Sequence, residues 1–169
     1  MICPACHSEN IEGADECVNC GLALYGLDLP GAPLGSQAPA FLLSPIASLP
    51  KRKVASLTAH DPVALAVRHM KRTESNCVLV MDGERLRGII TDRDIVQKVA
   101  APYKDLNAIT CGQIMTARPL VLHDEDTLAE ALNMMAAGGF RHIPIIDGGT
   151  PTGVLFVNDV FRHISPQLV

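Results

Sequence analysis

Residues 76–94 read NCVLVMDGERLRGIITDRD, and residues 141–159 read RHIPIIDGGTPTGVLFVND. The two strings align without a gap at an offset of 65 positions. Asp82-Gly83 falls on Asp147-Gly148, Gly88 on Gly153, and Asp94 on Asp159. In each, two apolar runs flank a turn at Asp-Gly, which predicts a hairpin of two strands. The register continues upstream, where Leu57 meets Leu122, Asp61 meets Asp126, Ala66 meets Ala131 and Met70 meets Met135. Val63, Ala66, Val67 and Met70 recur at helical spacing and predict one buried helix face, with Leu128, Leu132 and Met135 its counterpart. Asp61 and Asp126 are expected to cap these helices, Pro62 taking the first helical position. Strands are expected at residues 54–57, 76–81, 86–91, 141–146 and 153–156, and a helix from Asp92 to about Ala100. A short helical turn is expected at Gln113–Thr116. The fold class is therefore α+β, two tandem β-α-β-β-α repeats that each cover the other's apolar face. The first spans residues 54–104, a connector 105–118, and the second 119–169.

The bulk composition narrows the function classes. The chain has 169 residues, 48% hydrophobic, with no Trp and a net charge of −4. That balance does not imply nucleic-acid binding driven by overall charge. No apolar run reaches the roughly 18 residues of a membrane span, and the N-terminal residues lack the pattern of a secretory signal. A cytoplasmic protein with reduced cysteines is the expectation.

Residues 1–24 carry Cys3-x-x-Cys6 and Cys17-x-x-Cys20. Paired Cys-x-x-Cys turns aim four thiolates at one point, which suits zinc in a tetrahedral site. An iron site of the same ligand set and two disulfides are the alternatives; the compartment argues against disulfides. So small a segment has little core, so a bound metal would supply most of its folding energy. Cys3-Pro4-Ala5-Cys6, Glu9-Asn10, Gly13-Ala14, Cys17-Val18-Asn19-Cys20-Gly21 and Leu24 resemble the short N-terminal zinc ribbons of bacteria and archaea. That resemblance implies an interaction or assembly module for a protein partner it does not name. His7 and Glu16 depart from the pattern. Residues 25–53 are read as a linker rich in Pro and Gly, whose Phe41, Leu42, Leu43 and Ile46 dock onto the following domain.

The chemistry is expected at Gly88-Ile89-Ile90-Thr91-Asp92-Arg93-Asp94, where a strand gives way to a helix. Free amides at a helix start favour phosphate or ribose oxygens. The Asp94 carboxylate accepts two hydroxyl hydrogen bonds, which suits a ribose diol. Helix capping accounts for Thr91 or Asp92, but not for the return of Asp94 as Asp159. With Met115-Thr116, His142-Ile143-Pro144-Ile145-Ile146-Asp147 and Gly153 to Asp159, this string makes residues 54–165 similar to the CBS-domain family. That resemblance implies two motifs packed around a pseudo-two-fold axis, with clefts that bind AMP, ADP, ATP, S-adenosylmethionine or NAD. It also implies a homodimer. Carried over by position, Asp94 holds the ribose and Thr91 a ribose or phosphate oxygen, Asn76, Cys77 and Val78 line the base pocket with Val54 below it, and Arg93 faces phosphate. In the second copy the corresponding set is Arg118, Arg141, His142, Ile143, Pro144 and Asp159. Phe156 stands there in place of a hydroxyl residue.

No Ser-His-Asp set, phosphate loop or open His/Glu metal set is present, so a non-catalytic nucleotide sensor with a zinc ribbon is expected. Two other readings are a nucleic-acid-associated regulator and an iron-bearing redox protein. The first is disfavoured because residues 1–24 carry acidic side chains and no Lys or Arg.

Overall fold

The structure is a computed structural model that describes residues 2–3, 8–11, 14–19, 24 and 39–167. Two 3-10 turns, Ala40–Leu43 and Ile46–Ser48, precede the first repeat. Strand β1 (Ser56–Thr58), helix α1 (Val63–Thr73), strands β2 (Cys77–Asp82) and β3 (Arg85–Thr91) and helix α2 (Asp92–Ile95) follow. Helix α2 runs into a widened π turn, Val96–Ala100, closed by the Ala101 amide on the Val96 carbonyl at 2.9 Å. Helix α3 (Cys111–Ile114) and strand β4 (Thr116–Ala117) lead to α4 (Leu128–Gly138), β5 (His142–Asp147), β6 (Thr150–Phe156) and α5 (Val157–Ile164). The α+β expectation and the order of elements in the first repeat are met; in the second repeat the expected first strand is reduced to an isolated bridge at Leu122.

Strands β1 to β4 form one sheet in chain order, with β1 parallel to β2 and the remaining pairs antiparallel. Leu57 pairs with Val80, and the equivalent Leu122 pairs with Ile145, also in parallel. Gly83 and Gly148 turn the two hairpins at φ 58° and 55°, where a Cβ would be strained.

The chain clusters into two compact units. One contains residues 51–119 and 146–154, the other residues 1–50, 120–145 and 155–169. The first has a core of Val63, Ala66, Met70, Val78, Val80, Ile90, Val99, Cys111 and Ile114 around Leu57. The second buries Leu128, Ala131, Met134, Met135, Ile143, Ile145, Leu155 and Val160 together with Ile46 and Leu49. Ile46 and the partly buried Phe41 thus dock on the second repeat, while Leu43 is 60% exposed.

That placement follows from backbone hydrogen bonds. Helix α1 starts with the Val63 and Ala64 amides donating to the carbonyls of Ile109 and Leu106, at 2.9 and 3.0 Å. Helix α4 starts with the Leu128 amide donating to the Ser44 carbonyl at 2.9 Å. Cys111 and Gly112 return amides to Asp61 and Ala59, and Ile46 and Ala47 return theirs to Asp126 and Asp124. Each repeat's first helix is therefore seated by the segment that leads into the other repeat. The repeated glycines make room for the same exchange. A Cβ on Gly88 would lie 2.9 Å from the Thr116 carbonyl, and one on Gly153 would lie 3.2 Å from that of Arg52.

Asp61 and Asp126 are not the helix caps the sequence leads one to expect. Pro62 and Thr127 hold the cap positions. Thr127 forms a reciprocal box with Glu130, while Pro62 has no side chain to offer. Asp61 Oδ2 instead accepts from the Thr58 amide at 2.6 Å, and Asp126 Oδ2 from the His123 amide at 2.7 Å. Both aspartates close the turn before the helix, a local use of a short carboxylate that competes with capping. The turn expected at Gln113–Thr116 begins two residues earlier, because Thr110 and Gln113 form a capping box there.

Ile46 is fully buried in a core that belongs to the second repeat. Ile46→Ala should lower unfolding stability by about 2–4 kcal/mol, the cost of a large-to-small core change. Urea denaturation followed by circular dichroism measures it.

Candidate functional site

Thr91 ends β3 opposite Cys77 of β2 and caps α2. Its hydroxyl donates to Asp94 Oδ2 at 2.8 Å and accepts the Asp94 amide at 3.4 Å. Its own amide donates to the same Oδ2 at 2.9 Å. Thr91 as cap and the Asp94 carboxylate are thus the two halves of one reciprocal box. Asp94 Oδ1 accepts from Lys98 Nζ at 2.6 Å and, at a longer 3.4 Å, from Thr116 Oγ1. Lys98 Nζ also donates to the Ile114 carbonyl at 2.7 Å.

Asp94 is only 8% exposed. Burial pulls its pKa up, yet the hydrogen bonds from Lys98 and Thr91 outweigh that and hold the carboxyl below its ordinary value. It is therefore an ionised, oriented acceptor at neutral pH, suited to hydroxyl donors. Burial pushes the Cys77 thiol up to about 12, so it is a small apolar neighbour of the site and not a nucleophile.

The residues expected at this site divide into three groups. Thr91, Asp94 and Cys77 come together at the β3–α2 junction. Val54 is half-buried, and Val78 is committed to the first core. Asn76 and Arg93 are exposed, and the Asn76 carbonyl takes the Asp92 amide at 2.9 Å. Lys98 and Thr116 were not expected. Lys98 was legible as a Lys four residues beyond an Asp. Thr116 was not, since it reaches the carboxylate from 22 positions away.

The second copy is built differently. Phe156 takes the place of Thr91 and is buried, with its ring 4.7 Å from that of His142 in an edge-on contact. Asp159 is 7% exposed and lies 3.5 Å from Arg162 Nη1. Ile143 and Pro144 are buried, and Arg141 is exposed. Arg118 falls in the other compact unit, at φ 48°.

At the N-terminus, Cys3 and Cys17 are buried with Leu24, beside Leu120 and Phe140. Asn10 Nδ2 donates toward Cys17 Sγ at 3.6 Å, and Asn10 Oδ1 accepts the Val18 amide at 2.9 Å. The Asn10 side chain thus ties the Cys17 sulfur to the backbone at Val18. Cys6 and Cys20, the other two expected ligands, lie outside the described residues. Among the described residues, no group of three or more His, Cys, Asp or Glu converges on a metal position. None of the described helices is long and apolar enough to cross a membrane.

Comparison with known proteins decides the family. The CBS domain matches twice, over residues 46–101 and 111–166. The chain belongs to the CBS-domain family. Both matched spans open at the lead-in turns that hold Ile46 and Cys111. CBS domain-containing protein CBSCBSPB3 of Arabidopsis thaliana is 35% identical over 95 residues, which are 56% of this chain and 17% of that protein. The chain therefore spans about one sixth of that relative's length. Hypoxic response protein 1 of Mycobacterium tuberculosis is 28% identical over 111 residues, 65% of this chain and 78% of that protein. Its crystal structure, with two coordinated zinc ions, superposes with a TM-score of 0.61 at 26% identity, covering 70% of this chain and 98% of that one. The fold is shared with a CBS domain protein of Pyrobaculum aerophilum complexed with AMP, at a TM-score of 0.66 and 22% identity, covering 73% and 97%.

The charge on Asp94 should be visible in the pH dependence of stability. Its folded pKa is depressed, so its contribution is complete above the ordinary carboxylate value of about 4. The contribution is lost as pH falls through the folded value. The stability gap between wild type and Asp94→Asn should be widest near neutrality and narrow as pH falls below the ordinary carboxylate value, which urea titrations across that range report.

Proposed function

We propose that this CBS pair is a non-catalytic regulatory module that binds an adenosine-containing ligand through Asp94. The observation that carries the reading is the buried, ionised Asp94 carboxylate fixed by Thr91 where β3 passes into α2. A carboxylate so placed favours a ribose diol, and the amides of the helix start favour a nearby phosphate. AMP, ADP, ATP, S-adenosylmethionine and NAD all carry that ribose. The complex of the Pyrobaculum relative with AMP puts AMP first among them. Arg93, exposed beside the site, is the proposed phosphate partner, and Asn76 with Val54 the proposed base contacts. The Asp159 site is weaker on the same reasoning, because Phe156 supplies no hydroxyl and its ring occupies the space against His142.

Calorimetry with AMP, ATP, NAD and S-adenosylmethionine tests the reading. At least one should bind, and Asp94→Asn should weaken it by about tenfold or more, the loss expected when a charged acceptor of two hydroxyls is neutralised. Binding by none of the four removes the proposal.

We further propose that Cys3, Cys6, Cys17 and Cys20 hold zinc in an N-terminal ribbon that serves assembly or a protein partner, and that the chain forms a homodimer in the cytoplasm. Two buried thiols with an amide donor at one of them support the ribbon. Exposed Val96 and Phe161, at equivalent places in the two repeats, support association. One native mass spectrum should show two chains with about one zinc each. Cys3→Ser with Cys17→Ser should lose the metal, and visible absorbance would indicate iron instead. Salt-dependent binding to DNA or RNA would revive a nucleic-acid role.

A further inference from the structure

The Asp94 carboxylate already has a partner on each oxygen. Oδ2 takes both the amide and the hydroxyl of Thr91. That pair is part of the helix cap, so it stays in place when a ligand arrives. Oδ1 takes Lys98 Nζ at 2.6 Å, with Thr116 Oγ1 at a weak 3.4 Å. A vicinal diol brings two O–H donors, and the acceptor positions left for them are those on the Oδ1 side, where the ammonium sits.

Lys98 is held there by two groups of different elements. It projects from the middle of the π turn that continues α2, and it bridges Asp94 and the last carbonyl of α3, Ile114. Its side chain is 40% exposed, against 11% for Asp94. The ammonium can therefore swing into water, while the carboxylate cannot leave. An i,i+4 pair with one exposed member is worth little, so its displacement by a ligand is affordable. In the second copy the equivalent position is His163, and Asp159 lies 3.5 Å from the more exposed Arg162.

We propose that Lys98 is the resting occupant of the diol-binding side of Asp94, so that a nucleoside binds by displacing its ammonium. This rests on the reading of Asp94 as a sugar-binding carboxylate. Lys98 thereby sets the affinity of the site: the apparent affinity falls with the fraction of molecules in which the ammonium is in place.

Adenosine is the probe, because it has the diol and no phosphate for a released lysine to meet. Calorimetry on the full chain compares wild type, Lys98→Met and Lys98→Gln, with melting temperature as the check on folding. Lys98→Met should bind adenosine about two- to fivefold more tightly, the range a partly exposed ion pair represents. Lys98→Gln should fall between it and wild type, since it keeps a polar donor at that position without the charge. Where Lys98→Met melts far below wild type, Lys98→Gln decides the matter alone. Binding by wild type that neither variant improves overturns the role of Lys98 and leaves the nucleotide reading intact. Absence of binding by wild type and both variants, for AMP as well as adenosine, overturns both.

Discussion

The first-turn amides of α1 and α4 must find acceptors, and they find them on segments that lead into the other repeat. An α-helix leaves four amides without internal partners, and a buried amide without an acceptor costs about 1–3 kcal/mol. Here Ile109 and Leu106 serve α1, and Ser44 serves α4. The return bonds from Cys111 to Asp61 and from Ile46 to Asp126 make each seat reciprocal. It follows that a single repeat cut at residue 54 or 119 would lose the acceptors for its first helix. The lead-in turns also bring side chains: Ile46 enters one core, and Cys111 with Ile114 enters the other. Polar satisfaction and apolar burial thus act on the same short stretches.

The same exchange positions the candidate site. Strand β4 runs beside Gly88, close enough that a Cβ there would strike the Thr116 carbonyl. That approach brings Thr116 to Asp94 and the end of α3 to Lys98. The carboxylate is therefore set by its own helix cap on one side and by the lead-in of the second repeat on the other. The CBS repeat has been turned to different ends in its two copies. In one, Thr91 fixes a buried anion. In the other, an aromatic ring stands at the cap position and packs on His142. At the last residue of the strand a ring replaces a hydroxyl, while the backbone bond that starts the helix is kept: the Asp92 amide to Asn76 in the first, the Val157 amide to Arg141 in the second.

The sequence by itself settled the α+β class, the doubled unit, both hairpins and the carboxylate at each junction. These are legible because they rest on local periodicity and on glycines whose turns need positive φ, as at Gly83 and Gly148. Sequence misread Asp61 and Asp126 as caps, because an aspartate before a helix has two local uses and the choice depends on what else reaches the first-turn amides. It read residues 25–53 as a linker with Ile46 docking on the following domain; Ile46 does dock, and Leu49, which was not singled out, is core as well. Proline-rich composition marks broken helices, not exposure.

Tertiary structure alone decided which repeat Ile46 joins, how Thr116 and Ile114 come to Asp94 and Lys98, and that Val78 is a core residue. Each depends on contacts between positions tens of residues apart, which periodicity cannot carry. The pattern of a strand or helix states which face is buried. It does not state whose backbone will satisfy the amides at its end, and in this CBS pair that second question arranges the site.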